Sequence, residues 1–344
     1  MFQSALRFPL VYVVIASAQI ATNTDAAPPI GPPALASNSA AFVTFDVPGA
    51  MATYPSGINA SGMVTGSCND AGQHGFVREP GGTMIRFDVP GTFATSTTNH
   101  ISINDRGTIT GAYVDPNRAI RGFLRSKDGS LITFDFPGAT FTYPGGINNN
   151  GTVTGMYIDT THHGFLRRPG GAWMAFDVPG SLGFFPQKLS INNSGTVAGH
   201  YFDGATHGFL WRLGGSLVTF DVSGASGTFP VGINESGAVT GHYQDARFAH
   251  HGFVRDPRGA FVTFDVPGAI ATLPVGINNS GAVTGWYTDS SYRNHGFLRD
   301  ARGALITFDV PGASGSFPVG VNERGAVAGW YGDAVGAHGF LRIP

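Results

Sequence analysis

One cysteine (Cys68) and two lysines (Lys127 and Lys188) stand in a chain of 344 residues. A single thiol excludes an intramolecular disulfide framework, so stability has to come from packing and backbone pairing. Charged residues make up only 12% of the chain, about half the usual share, and the net charge is −2. With no basic block, neither a nucleic acid nor a membrane surface is an expected partner. The one sustained apolar stretch, residues 8–15, is too short to span a bilayer comfortably. No segment beyond it carries a helical period.

Glycine, proline and phenylalanine are abundant instead, at 51, 22 and 27 residues. That composition means many tight turns, and its aromatic content argues against disorder. An apolar fraction of 42% is enough for a large core. Arg7, the apolar run and then Ala16-Ser17-Ala18 read as an export signal with a small-residue cleavage site. The expected organisation is a signal peptide (1–18), a flexible Pro/Ala-rich linker (19–40) and a repeat domain (41–344). The mature protein would be secreted or periplasmic, with no stable membrane span after cleavage.

Self-similarity dominates the rest. A Phe-Asp pair recurs at Asp46, Asp88, Asp135, Asp177, Asp221, Asp265 and Asp309, with spacings of 42 to 47 residues. An Ile-Asn or Val-Asn pair recurs at Asn59, Asn104, Asn148, Asn192, Asn234, Asn278 and Asn322. A His-Gly-Phe, once Arg-Gly-Phe, recurs at Phe76, Phe123, Phe165, Phe209, Phe253, Phe297 and Phe340.

Each unit reads as four short strands. Strand a ends in Ile-Asn, strand b carries Gly-x-Tyr-x-Asp, strand c is HGFLR-like and strand d ends in Phe-Asp-Val. Val-Pro-Gly then makes a type II turn. Four antiparallel strands in about 44 residues is the pattern of a β-propeller blade. The expected fold is therefore all-β: a seven-bladed β-propeller of four-stranded antiparallel blades. The blades span roughly 54–90, 99–137, 143–179, 187–223, 229–267, 273–311, and 317–344 plus 41–48. The first regular segment is a lone strand d and the chain stops after a lone strand c. The N-terminal strand should therefore pair outside the C-terminal one and close the ring. An open β-solenoid is the alternative architecture.

The repeat resembles the bacterial extracellular HAF repeats, on stretches such as "GINNSGAVTGWYTD" (276–289) followed by "HGFLRD" (295–300). Glycine replaces the family's typical alanine in every copy. The resemblance covers residue 42 to the C-terminus. It implies an exported β-propeller-like protein and little about activity.

Spacing within the unit separates scaffold from site. The a–b and c–d turns never change length, whereas the b–c loops and d–a links do, and these emerge on one face. Loops on a rigid frame are where ligand contacts are expected. The insertions name the candidates: Asn99 and His100, Lys188, Arg118, Arg247 with Phe248, and Tyr292 with Arg293. Arginine beside an exposed aromatic suits carbohydrate or protein contacts.

The histidines of HGF occur once per blade and are too far apart to share an ion, so hydrogen bonds to turns are expected of them. His200 and His242, in equivalent slots of neighbouring blades, could approach each other. The aspartates recur in register, unlike the asymmetric set an enzyme needs. Cys68 fills a strand-b tyrosine slot and should be buried. No cofactor or metal is expected.

The function expected is a non-catalytic binding or scaffold module. Its ligand would be an extracellular or envelope polysaccharide or protein at the loop-variable face, bound by a monomer. Two rivals remain: a polysaccharide lyase or hydrolase using His100, Lys188 and Arg247, and a self-associating surface or matrix protein.

Overall fold

The computed structural model describes residues 40–92, 95, 101–184 and 189–344. The expected signal peptide and all but the last residue of the expected linker lie outside these. Among the described residues every regular element is a strand. The first complete blade runs Ala52–Ile58, Val64–Asn69, Gln73–Arg78 and Met84–Phe87, each strand hydrogen-bonded to the next. The same order repeats around the ring. Strand a of the second blade is described only as Ser102–Ile103. That of the fourth is split into Gly183–Phe184 and Ser190–Ile191, both paired with Val197–Phe202.

The seventh blade is assembled from both ends of the chain. Ala41–Phe45 pairs antiparallel with Ala337–Ile343, in register from Ala41↔Ile343 to Phe45↔Gly339. It takes the outer position beyond Val327–Gly332 and Gly315–Val321. The chain folds as a seven-bladed β-propeller closed by its own first strand.

Local chemistry explains the unit. In the Val-Pro-Gly-Ala turn, Ala50 N–H donates to Val47 O at 3.0 Å and Gly49 has φ of 79°. That left-handed dihedral is the reason for glycine there. The link is clasped to the next blade by Thr53, whose hydroxyl accepts from Val47 N–H.

The core lies between blades. The HGF phenylalanines (Phe76, Phe123, Phe165, Phe209, Phe253, Phe297 and Phe340) are all fully buried. Each is worth about 1.5–3 kcal/mol of burial. The preceding glycine is explained by close approach. A Cβ on Gly296 would lie 2.4 Å from the Phe308 ring of strand d, and the six other copies repeat this at 2.2–2.7 Å. The ring of the Phe-Asp pair thus occupies the space an alanine would need.

Arginines ending strand c join neighbouring blades. Arg78 stacks on Phe45, Arg125 on Phe87, Arg167 on Phe134, Arg255 on Phe220, Arg299 on Phe264 and Arg342 on Phe308, at 4.7–5.2 Å. Each phenylalanine belongs to the blade before. Burial under these contacts lowers the pKa of the arginines, Arg299 among them, without removing their charge at neutral pH.

The asparagine ending each strand a closes a second, polar ring. Its Nδ2 donates to the backbone carbonyl of the equivalent asparagine in the next blade. The sequence runs Asn59 to Asn104, Asn148, Asn192, Asn234, Asn278 and Asn322, then back to Asn59 at 3.3 Å. The Oδ1 atoms cap the a–b turns, as when Asn278 accepts from Ala282 N–H at 2.9 Å.

Candidate functional site

Strand direction divides the molecule into two faces. The a–b and c–d turns lie on one, the turn face. The b–c loops and d–a links lie on the other, the loop face. On the loop face, each HGF histidine sits between two aspartates. His207 contacts Asp221 through Nδ1 at 2.7 Å and Asp203 through Nε2 at 3.1 Å. His163, His295 and His338 repeat this with Asp177 and Asp159, Asp309 and Asp289, and Asp46 and Asp333. His74 and His251 occupy the same clamp. In the second blade Arg121 replaces histidine and bridges Asp115 and Asp135.

The histidines therefore bond to carboxylates rather than to turn backbone. Two recurring features that the sequence presents separately are one device. A neutral imidazole can donate from only one nitrogen, so at His163, His207, His295 and His338 the paired carboxylates favour the imidazolium. The hydrogen bond to Asp221 raises the pKa of His207 against the opposing effect of burial, and Asp46 does the same for His338. The bond to His74, with help from the Gly72 N–H and Arg86, holds Asp70 down at about 2.

Three b–c loops break the glycine rule. Arg118, Phe248 and Tyr292 have φ of 66°, 64° and 61°. Each sits fourth in a turn whose leading aspartate accepts from the backbone, as Asp289 Oδ1 does from Ser291 and Arg293 N–H. The asparagine-led a–b turns put glycine at that place, for example Gly62. A bulky residue there costs about 1–2 kcal/mol relative to glycine. Phe248 is 71% exposed and Tyr292 80% exposed. Around the same face, Met51, Leu182, Ile270 and Val335 are exposed as well.

The remaining candidates fall out differently. Arg247 is exposed beside Phe248. Arg293 donates through Nε to Ser314 O at 3.2 Å and through Nη2 to Ala313 O, bracing its loop to the link into the seventh blade. Asn99, His100 and Lys188 lie outside the described residues. His200 and His242 each pack on the Phe229 ring, at centroid distances of 5.5 and 4.8 Å. Burial lowers the pKa of His200 to about 4.

Cys68 is fully buried, and burial raises its thiol pKa to about 11. In the fourth to seventh blades a tyrosine stands at that place, Tyr201 among them, and burial raises its pKa. In the first blade Arg86 stands at the strand-d place that holds threonine in other blades and pairs with Asp70.

Charge is strongly polarised between the faces. Among the described residues, the loop face carries the fourteen clamp aspartates against Arg86, Arg118, Arg121, Arg247 and Arg293. That is a formal −9 with histidines neutral and −3 with the six clamp histidines protonated. The turn face has the six stacked arginines plus Arg106, Lys127, Arg168, Arg212, Arg258, Arg302 and Arg324. Against these thirteen cations stand seven carboxylates (Glu79, Asp105, Asp128, Glu235, Asp256, Asp300 and Glu323), leaving +6. The sequence's alternation of turn types held this signal, but only the topology sorts it.

Cavities lie on the axis and on the turn face. A central cavity of about 170 Å³ is lined by Ser56, Ser102 and Ser190 on one side and Val231, Val275 and Val319 on the other. A cleft of about 500 Å³ between the second and third blades is lined by Leu124, Ile132, Pro169, Arg106 and Arg167. A second, of about 210 Å³, lies between the fourth and fifth blades beside Leu210, Arg212, Ile233 and Pro257. These clefts form between turns of constant length, so loop lengths carry no signal of them.

No family model matches the sequence, and no curated protein does. Solved structures match throughout the ring. Virginiamycin B lyase from Staphylococcus aureus aligns over 89% of this chain and 100% of its own, with a TM-score of 0.63 at 13% identity. A streptogramin B lyase aligns over 89% and 98%, with a TM-score of 0.61 at 16% identity. The β-propeller domain of the Trilobed protease from Pyrococcus furiosus aligns over 84% and 95%, with a TM-score of 0.61 at 9% identity. Identities this low carry the fold and not the chemistry.

Proposed function

We propose that the protein is an exported, non-catalytic binding module whose ligand, an extracellular or envelope polysaccharide or protein, is held at the loop face. The observation that carries this reading is the pair Phe248 and Tyr292. Both are aromatic, exposed and held in left-handed backbone. Strain at exposed bulky residues works against stability, and such strain clusters at ligand-contacting positions. Arg247 beside Phe248, and Arg118, Met51 and Val335 elsewhere on the loop face, are exposed as well. The HAF-repeat resemblance and the export-like N-terminus support an extracytoplasmic location.

Glycine substitutions provide the test. Phe248→Gly and Tyr292→Gly relieve the backbone, so the variants should melt at or above the parent temperature. On a glycan and protein array, binding by the parent chain should be lost in the double variant. Array binding that survives both substitutions sinks the reading.

A further inference from the structure

We infer that the loop face docks onto the turn face of a second copy of this chain, so that the propellers stack head to tail. The inference rests on the reading of the loop face as the binding surface and names its partner.

The complement to the loop face is present on the molecule itself. Among the described residues the loop face is acidic, at −9 with its histidines neutral and −3 with the six clamp histidines protonated, whereas the turn face is basic at +6. A net charge of −2 conceals this polarity. Two copies placed loop face to turn face bring opposite fields together. Two loop faces, or two turn faces, repel.

Apolar features match in the same sense. Exposed Phe248, Ile270, Tyr292, Val335 and Met51 follow one another around the loop face from the fifth blade to the link into the first. The turn face offers clefts with apolar walls and arginine rims, the larger about 500 Å³ with Leu124, Ile132 and Pro169 beside Arg106 and Arg167. That volume is in the range of pockets that enclose small ligands, of about 300–1,000 Å³. An aromatic tip entering such a cleft removes apolar area from water and brings loop-face carboxylates to the rim.

The contact joins two different faces, so it is heterologous. Each copy keeps one free face of each kind, and growth is open-ended rather than closed. The interaction should be sensitive to salt. Between 0.1 and 1 M the screening length falls from about 10 to about 3 Å.

The test uses three forms of the full chain followed by sedimentation velocity and light scattering at low salt. The parent should grow in mass with concentration and return to monomer in 1 M NaCl. A loop-face variant (Phe248→Gly with Tyr292→Gly) and a turn-face variant (Arg258→Glu with Arg302→Glu) should each be monomeric and fully folded. Arg258 and Arg302 are exposed, so these changes leave the core intact. Mixing the two variants should give dimers and nothing larger, because one intact face remains on each partner.

Parent monomers at every concentration overturn the inference, as do assemblies indifferent to both variants. So does polylysine capture by a parent that stays monomeric. In that event, array binding lost in the loop-face variant still upholds the binding-module reading, while unchanged array binding removes both.

Discussion

Replacing Asn278 by alanine should destabilise the whole propeller, not one turn. Asn278 is 4% exposed and its side chain makes three hydrogen bonds. Its Nδ2 donates to Asn322 O at 2.9 Å, and its Oδ1 accepts from Ala282 N–H at 2.9 Å and from the Ser280 hydroxyl at 2.7 Å. Three bonds at about 1 kcal/mol each, with a buried carbonyl and N–H left unpaired, put the loss at about 3–4 kcal/mol. Urea unfolding followed by circular dichroism measures it.

Asn278→Asp sharpens the test. It keeps the acceptor and sets a second carboxylate oxygen against the Asn322 carbonyl. Burial and that contact raise the pKa of the new group above its unfolded value of about 3.9. Its penalty relative to the parent should be small below about pH 4, where the protonated carboxyl can donate, and grow as pH rises through the folded pKa. Asn322→Ala cuts the link across the seam to Asn59, 263 residues away in sequence. If the ring is closed it should cost as much as Asn278→Ala. A loss under about 1 kcal/mol for either alanine variant refutes the reasoning, since even one buried bond is worth that much.

Three other outcomes are expected. Deleting 41–47 should abolish cooperative unfolding at the parent temperature, whereas deleting 19–36 should leave the melting temperature unchanged; equal values for the two would contradict closure by the first strand. Gly296→Ala forces a Cβ to within 2.4 Å of the Phe308 ring and should cost about 1–3 kcal/mol in urea titration. Stability should also peak in mildly acidic solution. His163, His207, His295 and His338 have raised folded pKa values, so their contribution is full below the ordinary 6.5 and is lost as pH rises through the folded values. Asp70 and Asp159 act at the other end, present above 3.8 and lost as pH falls towards about 2. Urea midpoints from pH 2 to 9 would show both limbs, and His207→Gln should flatten the upper one.

The scaffold is legible in the sequence because every blade solves the same problem with the same residues. The Phe-Asp, Ile-Asn and HGF pairs mark strand ends at fixed spacing, and half a motif at each terminus announces the seam. Partnership across strands is less legible. His207 and Asp221 lie 14 residues apart, and only the c–d hairpin register brings them to 2.7 Å. Asn278 and Asn322 lie one repeat apart and meet only because the ring curves. The left-handed tips at Phe248 and Tyr292 carry no glycine signal, so the sequence shows them as aromatic loop residues without showing their strain. Loop length pointed to one face for the ligand. It could not register the inter-blade clefts on the other, which form between turns of constant length.

Departures from the repeat fall into two physical groups. Inside the scaffold, an altered residue finds a substitute contact. Where Cys68 replaces tyrosine, Arg86 stands at the strand-d place that holds threonine in other blades and pairs with Asp70. Where Arg121 replaces histidine, it still bridges both aspartates of the clamp. Where Trp211 replaces the inter-blade arginine, its ring stacks on Phe176 of the preceding blade at 4.7 Å. Stability accounts for each of these, because each supplies a contact in place of the one the substitution removes. Phe248 and Tyr292 do the opposite. They expose large apolar surface and hold backbone that glycine would relax, so both terms count against the isolated monomer. A contact that covers them reverses the first term, and the oppositely charged turn face of another copy is a surface able to do so.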